Sequence, residues 1–145
     1  MYSQVTYLRF QNLLGNMKNV PKMLSHIKSG FIARREKVNF IYSKKAGCIL
    51  EKLLEKNYIN FYKIAFVGNK HKVWSVGLKY DQRGESFLKS IKFFSKPGRR
   101  FILSSQSIEK LPKESDYLFI GPDGAFWLED IKKMKKGAEL LVKIN

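Results

Sequence analysis

Cysteine and histidine are scarce in this chain, which limits the chemistry that it can perform. Its 145 residues include one cysteine, Cys48, and two histidines, His26 and His71. A single thiol excludes an internal disulfide and a zinc site built from cysteines. Neither histidine has a carboxylate or a second histidine at the spacing of metal ligands, and no nucleophile is paired with a base. The sequence therefore predicts no enzyme, no cofactor, no metal site and no small-molecule substrate.

Acidic residues are also few, and they are unevenly distributed. Twelve acidic side chains stand against 28 basic ones, which gives a net charge of +16 and an isoelectric point near 10.0. No acidic residue precedes Glu36, and none lies between Glu55 and Asp81. So many positive charges repel one another unless an anionic partner neutralises them, and solubility alone needs a net charge of only about 2–8. Nucleic acids and anionic membranes are the usual partners of so basic a protein.

Long apolar runs are missing, which argues against a membrane partner. Runs such as residues 31–33 and 101–103 are far too short to cross a bilayer. No predicted helix clearly joins a large apolar face to a basic one. Aromatic residues make up 14% of the chain, which favours a folded body over a disordered tail. The preferred interpretation is a folded, soluble protein that binds nucleic acid.

Apolar spacing predicts an α+β fold in two parts. Residues 19–80 indicate an N-terminal α-β-α-β-β subdomain, with Gly30 at the end of its first helix. The polar stretch 81–85 predicts a hinge. Residues 86–145 predict a mostly β C-terminal subdomain with one short helix. Residues 1–18 are interpreted as a basic N-terminal extension, although their composition also fits an organellar transit peptide.

The start of the second predicted helix suits an anion. Ser43 is placed to cap this helix, and Lys44 and Lys45 lie in its first turn, where cations oppose the helix dipole. A phosphate bound to the exposed amides would reverse that disadvantage, so the pattern predicts a phosphate contact. The alternative is a pair of solvated lysines.

A loop between two predicted strands carries the densest group of cations. Three cations surround a Pro-Gly turn, and the candidate contacts are Ser95, Lys96, Gly98, Arg99 and Arg100. Because arginine forms forked hydrogen bonds to phosphate, the loop is predicted to hold a nucleic-acid backbone. The alternative is a solvated turn.

Two further groups in the second half are weaker candidates. Lys132 and Lys133 lie opposite the apolar side of the last predicted helix, where RNA contact and solvated surface are equally compatible with the pattern. Gly121 and Gly124 border a Pro-Asp turn between two predicted strands.

The order and spacing of these motifs resemble universal small-subunit ribosomal protein eight over about residues 19–145. The matching stretches are MLSHIKSG at 23–30, SKK at 43–45, NYI at 57–59, LKY at 78–80, SKPGRR at 95–100 and GAE at 137–139. The resemblance implies a structural constituent of the small ribosomal subunit that binds the central domain of its rRNA and supports translation. It implies RNA contacts at the candidate residues above, neighbouring small-subunit proteins as further partners, and a bracing role for Glu139 beneath the C-terminal loop.

One departure from this family concerns the C-terminal loop. The family usually carries Ser-Thr-Ser-x-Gly there, whereas this chain has IGPDG at 120–124 and keeps only the final glycine. The hydroxyl contacts of the family are therefore missing from the sequence, while backbone contacts at Gly121 and Gly124 remain open. Lysine outnumbers arginine 22 to 6, as expected of an A/T-rich gene. Together these features favour a divergent organellar member in the ribosome of the mitochondrial matrix.

Two other functions remain as alternatives. A general DNA-binding or nucleoid-compacting protein would bind duplex DNA and structured rRNA with similar affinity. A small nuclease would need acidic residues or histidines clustered around a metal, and the sequence shows no such cluster.

Overall fold

A computed structural model describes residues 19–145 except residues 69, 96–97 and 122–123, and it has the predicted α+β fold. Its described residues form two compact units, 19–90 and 91–145. The first has the order α-β-α-β-β and the second is mostly β, which confirms the fold class. The predicted extension at 1–18 lies outside the described residues.

The predicted hinge at 81–85 lies inside the first unit as a hydrogen-bonded turn. The Asp81 carboxylate accepts hydrogen bonds from the backbone N–H groups of Arg83 and Glu85, at 2.8 and 2.9 Å. The division between the two units falls after Ser90, five residues beyond the predicted hinge. A hinge function of the turn stays a prediction.

The first unit is a three-stranded antiparallel sheet with two helices. Its elements are α1 (Asn19–Ile32), β1 (Lys37–Ile41), α2 (Lys44–Glu55), β2 (Ile59–Val67) and β3 (His71–Leu78). The strand order is β1-β3-β2. The prediction that α1 ends at Gly30 is wrong, because Gly30 is buried within the helix. A Cβ there would lie only 2.6 Å from Cγ1 of Val38, so this glycine permits close packing on the sheet.

Replacing Gly47 with alanine should destabilise the fold, although alanine favours a helix by about 1 kcal/mol. The added methyl would lie 2.8 Å from Cζ2 of Trp74, whose Nε1 donates a hydrogen bond to the Ser43 carbonyl oxygen at 2.9 Å. Because overpacking costs about 1–3 kcal/mol, which exceeds or offsets the gain in helix propensity, we expect a net loss of up to about 2 kcal/mol in chemical denaturation. In a Trp74→Phe background the same change should be neutral or stabilising. A gain in stability with Trp74 intact would contradict the packing described.

The second unit is built around its last strand. Its elements are β4 (Ile91–Phe93), β5 (Ile102–Leu103), α3 (Ser105–Glu109), β6 (Asp116–Gly121), β7 (Gly124–Trp127), α4 (Leu128–Met134) and β8 (Ala138–Ile144). The antiparallel sheet has the order β4-β8-β6-β7, and β5 also pairs with β8. Both helices contribute to one core cluster, which comprises Ile108, Tyr117, Phe119, Leu128, Ile131 and Leu140.

The second unit contains two short helices where the sequence predicted one. The additional helix, α3, follows Ser104, whose Oγ accepts a hydrogen bond from the backbone N–H of Ser107 at 3.3 Å. It buries one side chain, Ile108. A single buried position gives no helical repeat, and for that reason apolar spacing did not reveal α3.

Candidate nucleic-acid interface

Ser43 caps α2, as predicted. Its backbone is extended, and its Oγ accepts a hydrogen bond from the Ala46 N–H at 3.2 Å. Its carbonyl oxygen accepts the indole hydrogen bond of Trp74. Because β3 thus holds the first turn of α2, the position of this helix end is fixed by the sheet. Sequence reasoning missed this contact, since Trp74 is 31 residues away from Ser43.

The two lysines of this first turn have different surroundings. Lys44 is exposed, whereas only 5% of Lys45 is exposed. Successive helical residues point about 100° apart, so neighbours in sequence need not share a surface. The prediction that both lysines face an external phosphate is therefore wrong for Lys45, whose side chain is buried in the protein. Lys44 retains the predicted exposure.

Ser95 begins the loop of residues 95–101, here called the basic loop, and its side chain is internal. It is 1% exposed, and its Oγ donates to the Leu140 carbonyl oxygen at 2.7 Å and accepts from the Phe101 N–H at 3.0 Å. An RNA contact through this hydroxyl is incompatible with that burial, so the sequence prediction for Ser95 needs correction. Ser95 instead fastens the two ends of the basic loop to β8.

The described tip of the basic loop presents an open backbone and an exposed cation. Gly98 has a φ of +92° and no atom within 4 Å of the position a Cβ would take, and Arg99 is exposed. Arg100 is half-buried, with its Nη2 buried. Lys96 lies outside the described residues. A polyanion can therefore approach Gly98 and Arg99 directly, while Arg100 is partly enclosed.

Gly121 and Gly124 face each other across the turn between β6 and β7. They are paired in the antiparallel register, and Gly124 has a φ of +129°, a conformation that glycine adopts without strain. Neither has an atom within 4 Å of a built Cβ, so both sides of the turn are open. Residues 122–123, between them, lie outside the described part.

Glu139 lies in β8 between the strands that carry the basic loop and the turn. It pairs with Ile102 of β5 on one side and with Ile120 of β6 on the other. Its side chain is buried, including Oε1. This location suits a bracing role beneath both loops, and that role stays a prediction.

The two lysines of α4 differ in exposure. Lys132 is half-buried, and its Nζ lies 3.5 Å from the Leu111 carbonyl oxygen, to which it donates a long hydrogen bond. Lys133 is exposed. Lys133 is thus the more accessible of the two for an anionic partner.

The described part of the chain has neither a metal-binding cluster nor a membrane-spanning helix. Within residues 19–145, where described, no three acidic, histidine or cysteine side chains form a group that could hold a metal ion. None of the described helices combines the length and the apolar character needed to span a membrane.

The chain is similar to a known protein family and to several of its bacterial members. The sequence model of the family ribosomal protein S8 matches residues 18–145. The small ribosomal subunit protein uS8 of Nautilia profundicola is 30% identical over 122 residues, covering 83% of this chain and 92% of the relative. Its counterparts in Campylobacter fetus and Rhizobium rhizogenes are each 29% identical, over 83% and 84% of this chain and 92% of each relative. The chain belongs to the ribosomal protein S8 family, a structural and non-enzymatic component of the small ribosomal subunit.

Proposed function

We propose that this chain binds and stabilises the central domain of small-subunit rRNA. The observation that carries the proposal is the basic loop, which presents the exposed Arg99 and is fastened to β8 through the buried Ser95. A fixed support lowers the entropy lost when a flexible cation is ordered by its ligand. The net charge of +16 supplies the long-range attraction that such binding needs.

The expected mode of recognition is contact with the RNA backbone and its shape. RNA helices are recognised largely through phosphates, 2′-hydroxyls and groove shape, and sequence-specific contacts are concentrated in unpaired regions. Arg99 would form a forked contact to one phosphate, and Lys44 would act as a point charge on another. Gly98, Gly121 and Gly124 would let the RNA come close to the protein backbone.

Several other candidate residues have secondary roles in the proposed RNA binding. Lys96, Arg100, Lys132 and Lys133 would add positive charge around the same RNA, and Glu139 would brace the loops. The S8-family relatives are small-subunit proteins, so neighbouring small-subunit proteins are proposed as further partners.

A mitochondrial ribosome is the proposed location. Support comes from the lysine-rich composition and from the IGPDG stretch that replaces the hydroxyl-rich loop of the family. Cell fractionation tests this: the chain should sediment with mitochondrial small subunits, and sedimentation with plastid or bacterial ribosomes would refute this location.

Removing one exposed phosphate contact should change the salt dependence of binding. Lys44→Ala should reduce the slope of log affinity against log salt concentration for a central-domain rRNA fragment by about 0.7–0.9. Its unfolding free energy should stay within about 0.5 kcal/mol of the unmodified protein, because the side chain is exposed.

Lys113→Ala provides the matched control, since Lys113 is an exposed lysine outside all the proposed contacts. It should leave the slope unchanged. An unaltered slope for Lys44→Ala would show that Lys44 lies outside the interface. Equal reductions of the slope in Lys44→Ala and Lys113→Ala would show that the charge of Lys44 acts on the RNA without a local contact.

A further inference from the structure

Among the residues that the structure describes, one face of the first unit's sheet carries no helix. Gly30 of α1 approaches Val38 and Leu78, and Gly47 of α2 approaches Trp74, so both helices lie on the side of these buried residues. The side chains of the alternate residues in each strand point to the opposite face of the sheet.

The strand register defines the composition of this opposite surface, here called the open face. Its three-strand rows are Lys37–Gly77–Phe61, Asn39–Ser75–Lys63 and Ile41–Val73–Ala65, and the pair Val67–His71 follows them. None of the strands β1, β2 and β3 contains an acidic residue. Lys37 and Lys63 are exposed, so the open face presents positive charge without a carboxylate from its own strands. That charge complements a polyanion.

Phe61 lies on the open face as a supported aromatic ring. Its ring carbons contact the position where Gly77 would carry a Cβ, so the absence of a side chain at Gly77 lets the ring rest on the central strand. The ring remains 40% exposed, and Lys63 Nζ lies over it, 5.5 Å from its centroid. A base that stacks on the ring would take the place of this ammonium, which would then move to the phosphate. An aromatic side chain held against a sheet beside a lysine offers a base a stacking surface and its phosphate a cation.

The pattern of the open face favours RNA over a protein partner. Ile41, Phe61 and Val67 are its exposed large apolar side chains on β1 and β2, and the polar row Asn39–Ser75–Lys63 separates Phe61 from the other two. Protein interfaces of the hydrophobic kind use contiguous apolar patches. An aromatic ring set apart between cations suits a base and its phosphates, which alternate along a single strand.

We propose that the open face binds a single-stranded RNA segment, with one base stacked on Phe61 and phosphates at Lys37 and Lys63. This inference rests on the proposed function in one respect, that the partner is RNA. The site and its chemistry are separate, because the basic loop is proposed to hold phosphates of structured RNA.

The test uses the full chain and a fluorescently labelled oligoadenylate at moderate salt. Phe61→Leu keeps an apolar cover over Gly77 and removes the aromatic ring, and it should weaken binding by about fivefold or more. Phe87→Leu is the matched control, because Phe87 is 44% exposed and has Lys79 Nζ 5.1 Å from its ring centroid, but lies outside the three strands. It should leave the affinity unchanged. Inorganic polyphosphate, which has no bases, should bind the Phe61→Leu variant as tightly as the unmodified chain.

Two more variants keep the inference testable if leucine disturbs the fold. Lys63→Gln retains the ring and should lower the log–log salt slope for oligoadenylate by about 0.7. Phe61→Trp should bind at least as well as the unmodified chain, and oligoadenylate should quench its added exposed indole. The native Trp74 and Trp127 are buried and provide a low background.

The outcomes separate this inference from the proposed function. Unchanged oligoadenylate affinity in Phe61→Leu, or an equal loss of polyphosphate binding, would overturn the stacking site. A photo-crosslinker at Ile41 that reacts with protein and not RNA in assembled small subunits would also overturn it. Binding of the central-domain rRNA fragment is measured in parallel. If the unmodified chain does not bind this fragment, the proposed function fails. If the chain binds the fragment but Phe61→Leu has no effect on oligoadenylate binding, only the proposed site on the open face is refuted.

Discussion

Replacing Ser95 with alanine should lower the free energy of unfolding by about 1–3 kcal/mol, which is the cost of leaving a buried polar group unsatisfied. The variant loses the acceptor of the Phe101 N–H and the donor to the Leu140 carbonyl oxygen. Ser95 is almost fully buried, so no bulk water is in place to replace these bonds. Chemical denaturation of the full chain measures the effect.

Ser90→Ala is the control for this prediction. Ser90 is exposed, and its substitution should shift stability by no more than about 0.5 kcal/mol. The Ser95→Ala variant should also bind the central-domain rRNA fragment less tightly at a temperature where it remains folded, because the base of the basic loop is no longer fastened. Equal stabilities of the Ser95→Ala and Ser90→Ala variants would contradict the anchoring role.

Reversing the charge of Arg99 should have the largest effect on RNA binding. A hydrogen bond to a charged group contributes about 1.5–3 kcal/mol, so losing the contact and adding repulsion should weaken binding to the central-domain fragment at least about tenfold. Arg99→Glu should leave stability nearly unchanged, since the side chain is exposed. Filter binding or fluorescence anisotropy at a fixed salt concentration gives the ratio of the variant's dissociation constant to that of the unmodified chain.

The matched control is Arg83→Glu, an equal change of net charge at an exposed arginine of the first unit. It should weaken binding far less, through reduced long-range attraction alone. If Arg83→Glu and Arg99→Glu weakened binding equally, net charge would account for the affinity and the basic loop would have no special role.

Local sequence signals predicted the elements whose geometry depends on neighbouring residues. Ser43 was identified as the cap of α2 because a cap uses the amides of the next turn, and the structure shows that hydrogen bond. The Gly-Pro-Asp-Gly stretch at 121–124 was expected to join two strands, and it connects the end of β6 to the start of β7. The α-β-α-β-β order of the first unit followed from apolar spacing for the same reason.

The errors concern contacts between distant parts of the chain. Glycine often ends a helix, yet Gly30 lies within α1. Its lack of a side chain is needed there because Val38 packs closely against it. Ser95 and Lys45 belong to cationic, polar motifs, but both are buried, and Ser95 contacts Leu140, which is 45 residues away in sequence. Phe61 gave no functional signal until the strand register placed it over Gly77 and beside Lys63. Burial and register arise from tertiary packing, and a local pattern does not contain them.

A comparison of the chain's affinity for rRNA with its affinity for duplex DNA tests the central claim most directly. The purified full chain is titrated with a central-domain fragment of small-subunit rRNA and with duplex DNA of equal length, both at the same ionic strength over a range of salt. The rRNA should bind more tightly at every salt concentration, and Arg99→Glu should remove most of the difference. Equal affinity for the two nucleic acids, with equal sensitivity to Arg99, would contradict the account and identify a general DNA-binding protein instead.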